Sequence, residues 1–203
     1  MDVKPLFPVF LKLGARRVVV VGAGPVAAGK AAGLVAVGAS VMVVAPDICD
    51  AMQELPVTIA RRGFRPSDLD DAWYVVAAAP AEVNRAVAAA AADRQIFVNA
   101  VDDPAPASAY AGSVVLRGPV TLAISTSGLA PAVAGLLREA LDALLPTDLE
   151  RWVDEAVRAR VVWKRDGVPM EARRGRLLDR LNELYRSRRS ADSAELEQVA
   201  GDR

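Results

Sequence analysis

The stretch VVVVGAGPVAAGK, Val18 to Lys30, reads as a buried strand that runs into a glycine turn and then into a helix. The valines, preceded by Arg16 and Arg17, form a β-branched run of strand length. Gly22-Ala23-Gly24-Pro25-Val26-Ala27 then fits the spacing G-x-G-x-x-A. Gly22 permits the tight turn, and Gly24 lets backbone approach a pyrophosphate. Ala27 allows close packing of helix on strand. The helix start supplies free amides and the positive end of a dipole, which predicts a dinucleotide site. Many unrelated proteins carry such a turn, so the rest of the chain has to say what the site is for.

Outward from the turn, the pattern repeats. GPVAAGKAAGLVAVGA has helical spacing with Gly38 as its stop, and SVMVVAP is a second buried strand. VTIARRGF and AWYVVAAA read as a third and a fourth strand, AEVNRAVAAAAADRQ as an alanine-rich helix and IFVNAVD as a fifth strand. Strands alternating with helices imply a parallel sheet with crossover helices. Residues 1–112 are therefore expected to form an α/β Rossmann-like domain. The second strand ends Val44-Ala45-Pro46-Asp47, and Asp47 stands slightly beyond the place where an acid usually holds the ribose hydroxyls. With no arginine at this strand end to favour a 2′-phosphate, the expected cofactor is NAD. Gly22, Ala23, Gly24, Pro25, Val26, Ala45, Pro46 and Asp47 are its candidate contacts.

From residue 113 the pattern changes. GSVVLRG and VTLAISTS are strand-like runs around an RGP turn. The helix APAVAGLLREALDALLP follows, with Val133, Leu136, Leu137, Leu141, Leu144 and Leu145 on one stripe and Pro131 and Pro146 at its ends. Two strands and one helix are too small to bury that stripe, so it has to pack on the first domain or on a second copy of itself; residues 113–146 are expected to form a homodimerisation unit. Residues 147–190 read as an arginine-rich helical region and residues 191–203 as a frayed, disordered tail.

Composition narrows the chemistry. The 203 residues are 53% hydrophobic, which excludes a mainly disordered protein. Lys+Arg and Asp+Glu both number 25, and the zero net charge argues against nucleic acid as a partner. One cysteine, Cys49, excludes a disulfide framework and a cysteine metal cluster. No signal peptide or membrane-spanning run is evident, so a soluble, cytoplasmic protein is expected. The absence of histidine removes the commonest general base and metal ligand. Acid–base work falls to carboxylates, lysines, hydroxyls or the substrate. NAVDDP, Asn99 to Pro104, places Asp102 and Asp103 at the C-terminal end of the fifth strand, the edge where open α/β sheets bind ligands. That pair is either an acid/base site or a turn before Pro104. Ser125, Thr126, Ser127 and Gly128, in ISTSG before the helix, are either a cap or an anion-binding turn.

PLFPVFLKLGARRVVVVGAGPVAAGKA, GASVMVVAP, VNAVDDP and VVLRGPVTLAISTSGLAPAVAGLLREALDALLP, in this order, resemble the precorrin-2 dehydrogenase domain of siroheme synthase, including its free-standing forms. The resemblance extends to about Pro146 and more loosely to Tyr185, and ISTSG…P…LLRE is its most distinctive part. It implies NAD-dependent oxidation of precorrin-2 to sirohydrochlorin, and, in some members, Fe²⁺ insertion to make siroheme. It implies a Rossmann domain, a dimerisation unit and a helical C-terminal region. Bifunctional members carry a methyltransferase domain after this one. This sequence has no room for it, so a separate methyltransferase is expected to supply precorrin-2. By the match to N-x-V-D, the resemblance gives Asp102 the catalytic role in both reactions. By the match to S-[ST]-x-G, it puts Thr126, with Ser125 beside it, near the tetrapyrrole. Arg117, Arg138 and the arginines after Glu150 are candidates for the substrate's carboxylates. The sequence departs from the family pattern at Gly29, in the Ala77–Ala81 loop, at Tyr110 and at Ala130. Two other readings stay open: a dehydrogenase without chelatase activity, and a regulatory domain that binds NAD without chemistry.

Overall fold

The computed structural model describes residues 6–101, 103 and 105–201, with side chains described to residue 186. The valine run forms β1 (Arg17–Val21), the first of five parallel strands. The others are β2 (Ser40–Val44), β3 (Thr58–Ala60), β4 (Tyr74–Ala77) and β5 (Phe97–Ala100), in the order β3-β2-β1-β4-β5. Val21 registers with Val44 on one side and Ala77 on the other, which aligns the C-terminal ends of the three central strands. This is the Rossmann-like α/β fold expected from the alternating pattern.

Successive residues of β1 serve opposite faces, as a period of two requires. Val18 and Val20 join Val41 and Val43 under helix α1 (Pro25–Ala36), which contributes Ala27, Ala28 and Ala31. Val19 and Val21 join Val44 and Val75 under helix α3 (Ala81–Asp93), which contributes Val87, Ala88 and Ala91. The short helix α2 (Asp50–Gln53) follows β2 in the chain and adds Met52 to the core under α1. Because the chain leaves β1 to β2 on one side and returns to β4 on the other, a crevice opens at the C-terminal ends of β1 and β4. The third strand is only three residues long, ending where Arg62 donates its N–H back to the carbonyl of Ala60.

A 3₁₀ turn at Pro66–Leu69 precedes β4. Its Asp68 side chain is 4% exposed and accepts from both Nη atoms of Arg62, at 2.8 and 2.6 Å, and from the Arg65 N–H at 2.8 Å. These bonds hold the Asp68 carboxyl below the usual carboxylate range, the Arg62 bond acting most, against the opposing effect of burial. Burial pushes the Tyr74 phenol up to about 12.

The later residues form an antiparallel hairpin of β6 (Ser113–Arg117) and β7 (Val120–Ile124), then helices α4 (Pro131–Leu144), α5 (Leu149–Arg165) and α6 (Met170–Gly201). The span of α6 takes in residues read from the sequence as part of a tail; no Gly or Pro interrupts it between Gly175 and Gly201. The chain divides into two compact units, Met1–Gly112 with Ser125–Ala134, and Ser113–Ile124 with Gly135–Arg203. In the second unit Arg117 pairs with Asp142, tying the hairpin to α4. Glu155 accepts from Arg180 and Arg158, tying α5 to α6 and holding its carboxyl below the usual range, with Arg180 the larger cause. Among the described residues no helix is long and apolar enough to cross a membrane.

Candidate functional site

The site begins where β1 ends. Gly22 has φ +105°, a region other residues rarely adopt, and a Cβ there would lie 2.1 Å from the Ala78 carbonyl oxygen. Its N–H donates to the Val44 carbonyl at 2.9 Å, so the turn is stitched to β2 and pressed against the end of β4. The Ala23 carbonyl accepts the Cys49 N–H at 3.1 Å, which fastens the turn after β2 to the glycine turn. Gly24 caps α1 in extended conformation, and Pro25 opens the helix without needing a donor. No side chain caps this helix start, so the amides of its first turn are left for a ligand.

A cleft of about 360 Å³ opens there. Gly24, Pro25, Val26 and Ala27 form one wall, Ala78, Ala79, Ala81 and Asn84 a second, and Val101 with Asp103 a third. A Cβ added at Gly24 would meet nothing within 4 Å. The bare backbone beside uncapped amides therefore faces open space, and these residues fit a dinucleotide pyrophosphate.

The second wall carries a polar group that the sequence reading did not single out. Asn84 is 3% exposed on the first turn of α3, and its Oδ1 accepts the Ala79 N–H at 3.0 Å. The loop Ala77–Ala81 has no polar side chain of its own, so Asn84 holds it from the helix. An asparagine in the first turn of an alanine-rich helix was the available signal.

The third wall is fixed through β5. The Val98 N–H donates to Ser108 Oγ at 2.9 Å, and the Ser108 and Ala109 N–H groups donate to the Val98 carbonyl. Buried Asn99 donates from Nδ2 to the Ala109 carbonyl at 3.1 Å. The excursion between β5 and Ser108 is thus pinned at both ends. Asp103 lines the cleft; Asp102 lies outside the described residues.

Of the other predicted site residues, Gly22 and Ala23 shape the turn from beneath, while Gly24, Pro25 and Val26 line the cleft. Ala45 is buried, and its N–H donates to the Ala60 carbonyl at 3.2 Å; Pro46 and Asp47 are exposed beyond it, outside the cleft's lining. Ser125 to Gly128 do not line the cleft either. Thr126 Oγ1 accepts the Ala130 N–H at 3.2 Å and Ser125 Oγ accepts the Ser127 N–H at 3.1 Å. Ser127 and Gly128 both have positive φ. In this structure these hydroxyls shape the turn that leads into α4.

Comparison with known proteins agrees with this geometry. Residues 9–113, just over half of the chain, match the family NAD_binding_7, described as "Putative NAD(P)-binding". The siroheme synthase of Photorhabdus laumondii is 41% identical over 147 residues, 70% of this chain and 31% of the relative. That of Xylella fastidiosa is 36% identical over 203 residues, 95% of this chain and 43% of the relative. The chain thus spans less than half the length of these curated relatives. The solved structure of SirC, precorrin-2 dehydrogenase, is similar in fold, with TM-score 0.65 and 24% identity over 86% of this chain and 88% of that one.

Proposed function

The chain belongs to the NAD(P)-binding family matched over residues 9–113, and on that premise we propose that it oxidises precorrin-2 to sirohydrochlorin with NAD⁺. The observation that carries the reading is one cleft. It brings the glycine turn of β1 together with the acidic residue Asp103 after β5, in a chain related to siroheme synthases. In this reaction precorrin-2 loses a hydride and a proton, and NAD⁺ when bound takes the hydride to become NADH. The chain has to supply a place for the proton and a fixed approach for the macrocycle.

Asp102 is assigned the proton. It stands in sequence between Val101 and Asp103, both of which line the cleft, and a carboxylate serves where no histidine exists. The same residue would take the pyrrole protons if Fe²⁺ is inserted as a second substrate, with Asp103 beside it as a further oxygen donor. Ser125, Thr126, Ser127 and Gly128 are assigned to the edge of the tetrapyrrole through their turn before α4. The substrate's carboxylates are assigned to arginines among Arg117, Arg138 and those after Glu150, of which Arg117 and Arg138 are also ion-paired with Asp142 and Glu139. Residues 113–146 are assigned to homodimerisation. Support comes from Leu116, Leu136 and Leu144, which are 69%, 66% and 78% exposed in the single chain. A light-scattering mass of twice 21.4 kDa is expected, and a mass of one chain at micromolar concentration would sink the dimer.

The test is anaerobic incubation with precorrin-2 and NAD⁺. The sirohydrochlorin spectrum and NADH are expected in equal amounts, and Fe²⁺ added to the same cuvette tests insertion. Asp102→Asn is expected to lower kcat/KM about 100-fold or more while leaving NADH affinity within about twofold. Turnover by that variant at the parent's rate would remove Asp102 from the chemistry. NADH binding without any oxidation of precorrin-2 would leave the regulatory reading.

A further inference from the structure

We propose that Arg61 reads the adenosine 2′ position and admits a 2′-phosphate, so that the site takes NADP(H) as well as NAD(H). The inference rests on the reading that the cleft binds a dinucleotide. In such folds the 2′ position is read just beyond the second strand, by an acid for the free hydroxyls or by a nearby arginine for the phosphate. Along the chain no arginine follows β2. Sheet order supplies one from the neighbouring strand.

The parallel register pairs Val44 with Ala60, and the Ala45 N–H still donates to the Ala60 carbonyl at 3.2 Å. Arg61 is therefore the next residue of β3 at the level where Ala45 and Pro46 leave β2. The Arg62 N–H closes back on the Ala60 carbonyl at 2.9 Å, so the chain turns at Arg61 and leaves it exposed on this edge. Its Nη2 reaches Gln53 Oε1 at 3.4 Å, and Gln53 Nε2 reaches the Ile48 carbonyl at 3.4 Å. The guanidinium is thus carried towards the turn that follows β2. That turn is the one bound to Ala23 through the Cys49 N–H.

The two adjacent arginines differ in what they are free to do. Arg62 is engaged through both Nη atoms by Asp68. Arg61 makes no ion pair among the described residues, and its one hydrogen bond there is the long one to Gln53. A fork of five donors with one weak partner suits a phosphate, which takes two parallel bonds from it. Asp47 stands exposed on the same turn and suits the free hydroxyls of NAD(H). The edge therefore offers one group for each cofactor, and Ala45 and Pro46 between them carry no charge.

Calorimetric titration of the full chain with NADH and with NADPH tests this, with adenosine 2′,5′-bisphosphate against 5′-AMP as probes that differ only in the 2′-phosphate. NADPH is expected to bind within about tenfold of NADH. Arg61→Ala is expected to weaken NADPH and the bisphosphate about tenfold or more, and NADH and 5′-AMP by less than about threefold. The NADPH affinity of the parent should also fall faster with added salt than that of NADH. An unchanged urea midpoint for Arg61→Ala establishes that the variant is folded. NADH binding with NADPH more than about 100-fold weaker overturns the role of Arg61 and leaves the dinucleotide site standing. Equal weakening of both cofactors in Arg61→Ala overturns it as well. Failure of both NADH and NADPH to bind the parent overturns the dinucleotide site itself, and the inference with it.

Discussion

The two compact units of the chain bury their apolar residues to different degrees. In the first, Val18, Val19 and Val20 are fully buried, because a parallel sheet between α1 and α3 is covered on both faces by its own chain. In the second, a two-stranded hairpin and helices leave Leu116, Leu136 and Leu144 mostly exposed, and a small cluster of Ala159, Trp163 and Val168 is the core between α5 and α6. Covering three such leucines contributes on the order of 5 kcal/mol. The contrast separates a unit that covers its own apolar interior from one that leaves large apolar side chains in the open.

The comparison can be broken most severely at Gly22. Gly22→Ala places a methyl group against the Ala78–Ala79 peptide in a positive-φ turn, and that neighbour is backbone, not a side chain that can move aside. A loss of about 3 kcal/mol or more is expected in urea unfolding, together with loss of NADH binding. A midpoint within experimental error of the parent would mean that the first unit tolerates a rearranged turn.

Next in size is Asp68→Asn, also in the first unit. It leaves Arg62 and the Arg65 N–H without their carboxylate, and a loss of about 2 kcal/mol at neutral pH is expected. Because the folded carboxyl lies below its unfolded value of about 3.9, its contribution is present above that pH. It disappears as pH falls through the folded pKa. The variant's stability should accordingly converge on the parent's in acid, and a pH-independent difference would assign the loss to packing.

Glu155→Gln is the matching change in the second unit. Its carboxyl is depressed in the same direction, by Arg180 first and Arg158 second, so its contribution has the same sign and is also lost in acid. Arg180 and Arg158 are both well exposed, so solvent screens the pair and about 0.5–1 kcal/mol is expected. A loss as large as that of Asp68→Asn would show that the second unit is held by its charges far more than its exposure indicates.

Much of the first unit was legible in the sequence, because its strands are β-branched runs and its helices carry alanine at their contact positions. The glycine turn was legible as well, since φ +105° at Gly22 is a demand that few residues meet. What stayed hidden depends on partners distant in sequence. α2 is set by the Cys49 N–H on Ala23, and the 3₁₀ turn by Arg62 and Arg65 on Asp68. Asn84 reads as one polar residue among alanines until Ala79 is seen to need it. Arg61 reaches the end of β2 only through sheet order, which no local pattern states. The hydroxyls of Ser125 and Thr126 were read as a cap or an anion-binding turn, and here they bond to their own turn.

The pinning of β5, through Val98 and Asn99, by Ser108 and Ala109 also bears on aggregation. β5 is an edge strand, and an edge strand offers bare N–H and carbonyl groups to any passing chain. Here the outward N–H and carbonyl of Val98 are already taken by Ser108 and Ala109, which run along the edge as a partner from the same chain. At the opposite edge β3 has three residues, too few to template a stranger. A second molecule cannot pair with Val98 at this edge without first peeling Ser108 and Ala109 away, so the segment that braces β5 beside the cleft doubles as a guard against strand addition.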